Sequence, residues 1–151
     1  MAQDAVTVAR RLIEEGFNQG NLDICDELTA DDLVEHQNFG PDHASGPEGV
    51  KAVVTSLRRA FPDFHLAIED LTVDGDKVWL RMAGSGTNDG PFMGNPPTGR
   101  RMRTDVFDLI RVRDGRIVEH WGVPDRLSVL FQLGLAHPPG APSQPSATAH
   151  A

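Results

Sequence analysis

At 151 residues and 16.4 kDa, with a formal net charge of -8 and a pI near 5.1, the chain is the size of one domain and lacks the basic field that draws proteins to nucleic acid or anionic lipid. Cys25 is the only cysteine, which excludes an internal disulfide and a cysteine-based zinc site. The N-terminus, MAQDAVTVARR, has no long apolar run and no segment approaches the length of a membrane span, so a soluble, cytoplasmic protein is expected, with no nucleic-acid or membrane partner.

In chain order, Val6, Ala9, Leu12, Ile13 and Phe17 recur at helical spacing and predict a helix over roughly Ala5 to Asn18, stopped by Gly20. Asn21 is placed to cap a second, shorter helix through Leu22, Cys25 and Leu28. LVEHQNFGP reads as a short strand or extended arm. From Pro47 the pattern is helical again, with Val50, Val53, Val54, Leu57 and Phe61 in one stripe until Pro62 ends it. The period then changes to 2: Phe64, Leu66 and Ile68 alternate with His65, Ala67 and Glu69. KVWLRMAGSG and RRMRTDVFDLIRV predict two more strands, and RIVEHWGV a last one after the hairpin signal Asp114-Gly115. PDRLSVLFQLG reads as a terminal helix. The Pro-, Ala- and Ser-rich stretch over 136–151 is expected to be a disordered tail on a single domain spanning 1–135.

Helices first and a meander second predict an α+β fold, a strongly curved antiparallel sheet wrapped around the N-terminal helices and enclosing an apolar pocket. FPDF, the FMGNPPTGR loop, RVRDGRIVEHW and the closing DRLSVLFQLG resemble the SnoaL-like polyketide cyclase family, in the cone-shaped α+β superfamily of ketosteroid isomerase and limonene epoxide hydrolase. The resemblance covers about the last two-thirds of the ordered chain. It implies an enzyme of antibiotic biosynthesis, an isomerase or intramolecular lyase that closes a polyketide ring by aldol condensation. It also implies a polycyclic, polyketide-like substrate, neither metal nor cofactor, and a homo-oligomer, dimer or tetramer, joined through the outer face of the sheet. In the family an aspartate just past the last strand acts as acid and base, and the matching position here is Asp125.

An aldol closure needs a base to take a proton from carbon flanked by carbonyls and an acid to protonate the alkoxide, and one carboxylate with a raised pKa can do both. Read from spacing alone, Asp125 is more readily a helix cap, and the resemblance reverses that preference. His120 is the second candidate, as a group that polarises a carbonyl or moves a proton. Along RIVEHWGV only one of His120 and Trp121 faces the pocket, and the expectation is Trp121 as a pocket wall. Asp108, inside VFDLI, is either a buried carboxylate at the pocket or a partner of Arg81 or Arg103 across the sheet. His36 is either at the cavity mouth or a solvated loop residue, and Phe92 with Met93 either a flexible apolar lid or a plug. The histidine spacing matches no metal motif.

Two departures narrow the chemistry. The Arg-x-Asp pair of the superfamily's epoxide hydrolases is replaced by Arg81-Met82-Ala83, and the chain has no tyrosine to donate to an enolate oxygen. The rival readings are a hydroxylase or another pathway cyclase of the same family, and a non-catalytic binder of a hydrophobic small molecule.

Overall fold

In a computed structural model, which describes residues 4–140 and 142, ten elements follow one another. Helix α1 (Ala5–Arg11) runs on into a π-helical segment (Leu12–Phe17), then come α2 (Leu22–Leu28), β1 (Thr29–Glu35) and α3 (Gly46–Ala60). Strands β2 (His65–Asp74), β3 (Lys77–Thr87), β4 (Arg101–Arg113) and β5 (Arg116–Pro124) precede α4 (Arg126–Gln132). The helix starts follow the expected chemistry: Asp4 accepts from the Thr7 N–H and Asn21 from the Asp23 N–H, while Pro47 sits in the first turn of α3. Most of the 136–151 tail lies outside the described residues.

The five strands form one sheet in the order β1-β5-β4-β3-β2. From β2 to β5 it is the expected antiparallel meander, and Asp114 and Gly115, both at positive φ, make the tight turn between β4 and β5. The all-antiparallel expectation needs correction, because β1 pairs parallel with β5 and the sheet is mixed. No local turn joins these two strands; β1 reaches the β5 edge from the far end of the sequence, so nothing short-range sets its direction.

Inward residues of β3 and β4, among them Val78, Leu80, Met82, Met102 and Ile110, share one core with Val8, Ile13, Leu28 and Phe61 from the helices. At the opposite edge, Asn18 fastens the π-helical segment to β2: its side chain donates to the Leu66 carbonyl at 2.9 Å and accepts the Leu66 N–H at 2.7 Å. That pairing covers an otherwise open strand edge. The loop between β3 and β4 is held from below by Asn88, which is fully buried. It donates to the carbonyls of Ala60 and Gly90 and accepts from both the backbone N–H and the hydroxyl of Thr98.

Substituting Asn88→Ala would orphan several of these buried groups at once. It should lower unfolding free energy by roughly 2–4 kcal/mol. Urea denaturation checks this, and a loss below about 1 kcal/mol would mean the loop has other anchors.

Candidate active site

Between the helices and the inner face of the sheet lies a cavity of about 830 Å³. Its walls are mainly apolar, with Leu12, Phe17, Leu33, Leu57, Phe64 and Leu80 among them. Glu35, Asp108 and His120 also line it, and the strand ladders bring them together: Glu35 pairs with His120 between β1 and β5, and Asp108 pairs with Gly122 between β4 and β5. The imidazole is held on both sides. Nδ1 lies 2.7 and 2.8 Å from the two carboxylate oxygens of Glu35, and Nε2 lies 3.3 Å from Oδ2 of Asp108.

All three side chains are less than one-fifth exposed. Burial by itself pulls the His120 pKa down, but the hydrogen bonds its ring donates to Asp108 and Glu35 outweigh it and raise it to about 9. At neutral pH the ring is therefore an imidazolium that donates from both nitrogens, so the cluster holds one cation between two carboxylates.

The expectation that Trp121 walls the pocket and His120 turns away is reversed. Between Arg111↔Glu119 and Val112↔Ile117 the β4–β5 register shifts by one residue, so β5 bulges at Val118. Ile117 is buried in the core, and the extra residue then turns His120 and Pro124 inward. Trp121 points to the other face, where it stacks on His36 at 4.4 Å and 5°. His36 is correspondingly absent from the cavity lining, with its Nε2 2.9 Å from Glu119.

Asp125 is exposed, caps α4 by accepting the Ser128 N–H at 3.0 Å, and is not among the lining residues. Asp108 faces the cavity, whereas Arg81 and Arg103 on the outer face both pair with Glu69. Phe92 and Met93 line the cavity rim; Phe92 packs edge-on against buried Phe61 at 5.2 Å, while Met93 is exposed. Among the described residues no group of histidine, cysteine and carboxylate side chains has a metal-holding arrangement, and no helix is long and apolar enough to cross a membrane.

Residues 7–133 match the family model described as SnoaL-like polyketide cyclase. The chain belongs to that family. It is 34% identical over 135 residues to aklanonic acid methyl ester cyclase DauD of Streptomyces sp. (strain C5), across 85% of this chain and 81% of that one. Among solved structures, TsrD from Streptomyces laurentii superposes with a TM-score of 0.79 at 28% identity, covering 87% of this chain and 96% of its own. IdmH from Streptomyces antibioticus does so with a TM-score of 0.75 at 36% identity, covering 87% and 99%. The α+β fold and the enzyme class, polyketide cyclase, are those of the SnoaL-like family.

Sequence reasoning missed Glu35 and Gln37, the latter also on the cavity wall. A signal existed: the tripeptide Val-Glu-His occurs at 34–36 and again at 118–120. In the parallel β1–β5 register the two copies make two Glu–His pairs, Glu35 with His120 inside and Glu119 with His36 outside.

The raised His120 pKa makes a stability prediction whose sign follows from linkage. An unfolded histidine titrates near 6.5, so the stabilisation is complete below that pH and disappears as pH rises through about 9. Unfolding free energy should fall by on the order of 2–3 kcal/mol across that window, and Glu35→Gln should move the imidazole titration, followed by NMR, to lower pH. A ring that titrates at its ordinary pH in both proteins would contradict the clamp.

Proposed function

We propose that this enzyme closes a ring of a polycyclic, polyketide-like substrate by intramolecular aldol condensation without a cofactor, and that Asp108 and His120 carry the acid–base chemistry. The observation that supports this most directly is the imidazole held between two carboxylates on the wall of an otherwise apolar cavity. The Asp108 carboxylate removes a proton from a carbon flanked by carbonyls. The electron pair released forms the new C–C bond to a carbonyl carbon of the same molecule. The resulting alkoxide takes the Nε2 proton of the imidazolium, and protonated Asp108 then returns its proton to His120. Bonds and protons balance within one substrate, so the net reaction is an isomerisation.

A carboxylate is in general a modest base toward carbon acids, and two effects offset this. The cation stabilises the negative charge that develops on the substrate. Holding both reacting carbons of one molecule in place contributes about 7–11 kcal/mol toward the barrier. This assignment takes the acid–base role from Asp125, whose carboxylate is engaged as a helix cap on the solvent side.

Aklanonic acid methyl ester, named in the activity of the relative DauD, is the first substrate to test. Asp108→Asn should lower kcat by about 10²–10⁴-fold with substrate binding retained, whereas Asp125→Ala should leave kcat within a few-fold and cost about 1 kcal/mol of stability through the lost cap. The opposite pattern would return the role to Asp125. We further propose that two copies associate through the outer sheet face, where Trp79, Phe107 and Val123 are 53, 54 and 70% exposed. Light scattering should give at least twice the mass of the chain, and Phe107→Glu should reduce it to one; a monomeric wild type would refute this.

A further inference from the structure

We infer that Gln37 is a catalytic residue of this site: its side-chain amide donates a hydrogen bond to the enolate oxygen formed when Asp108 takes its proton. The inference rests on the acid–base reading above. It starts at Gly122, the β5 residue paired with Asp108. A Cβ there would collide with Oε1 of Gln37 and lie 2.8 Å from Cε1 of His120 and 2.9 Å from Oδ1 of Asp108. Three polar side chains therefore converge over bare backbone, and the missing side chain is what admits the amide beside the carboxylate.

Gln37 is also held there. Its backbone N–H donates to Oε1 of Glu35 at 2.8 Å, so the carboxylate that clamps His120 positions the start of this segment too. The side-chain amide makes no hydrogen bond among the described residues. An amide has two N–H donors, so whichever branch lies against Gly122, a donor remains for a ligand in the cavity.

Charge favours this group over its neighbours. Arg126 also lines the cavity, but a guanidinium at this point would pair with Asp108 and weaken it as a base. The neighbouring Asn38 uses its side-chain oxygen to accept the Gly40 N–H. A neutral amide can stabilise the enolate while leaving Asp108 ionised, and the chain has no tyrosine for the task.

With aklanonic acid methyl ester as substrate, Gln37→Leu should lower kcat by about 10²-fold and change KM only a few-fold. The His120 titration should stay unchanged, which separates loss of a donor from loss of the clamp. A binding probe free of turnover is 2-hydroxyanthraquinone, whose phenolate is coloured: bound to Gln37→Leu it should titrate about one pH unit higher than bound to wild type. A Gln37→Leu kcat within threefold of wild type while Asp108→Asn is inactive overturns this inference alone. Equal dye titrations in the two proteins overturn it as well. Full activity in Asp108→Asn overturns the acid–base reading beneath it.

Discussion

Between the pairs Arg111↔Glu119 and Val112↔Ile117, β5 takes up one residue more than β4, and from Val118 onward the opposite set of side chains faces the cavity. Without that residue, a strand that buries Ile117 would carry Glu119 and Trp121 inward and send His120 to the outside. With it, the inner wall receives an imidazole, a glycine and a proline. The outer wall receives Glu119, Trp121 and exposed Val123. Every polar contact of His120 depends on this single change of phase.

The parallel pairing of β1 then makes use of it. Two Val-Glu-His segments, side by side and offset by one residue, form one Glu–His pair on each face of the sheet. The outer pair, His36 with Glu119, is partly exposed and shared with Arg111, so solvent and salt screen it. The inner pair is shielded, and Asp108 completes it from β4. Charges taken out of water at such a site repay their desolvation only when all partners are present. An imidazolium flanked by two carboxylates meets that condition and leaves one negative charge in excess on the cavity wall.

The parts of this arrangement visible in the sequence are those with local causes. Helical spacing from Val6 to Phe17 and from Val50 to Phe61, the caps at Asn21 and Asp125, and the Asp114-Gly115 turn depend on neighbours a few positions apart. Asp108 stood out because a carboxylate inside VFDLI conflicts with its surroundings. The bulge at Val118 has no such mark: it is a mismatch between two strands, and alternation read along one strand carries His120 and Trp121 to the wrong faces. Glu35 was hidden for a related reason, since its partner lies 85 positions away and the direction of β1 is set by no turn. For Asp125, spacing along the chain leaves the direction of the side chain open, and the structure turns it toward solvent as the cap of α4.

Two groups of cavity-lining residues rest on different supports. The charged cluster depends on the registers of β1, β4 and β5, while the rim bearing Phe92 and Met93 depends on Asn88 and on Phe92 packing against Phe61. The two supports share no residue, and changes at sites without shared partners add nearly independently. Substitutions along the rim and the apolar walls can thus reshape the space offered to a ring system without moving the imidazole or its carboxylates. For a reaction in which both carbons belong to one molecule, the folded shape of that molecule decides which bond forms, and the proton-transfer groups need only be within reach of it. Under the proposed ring closure, a fold that keeps these two requirements on separate elements holds its charged cluster fixed while the apolar walls change which ring is made.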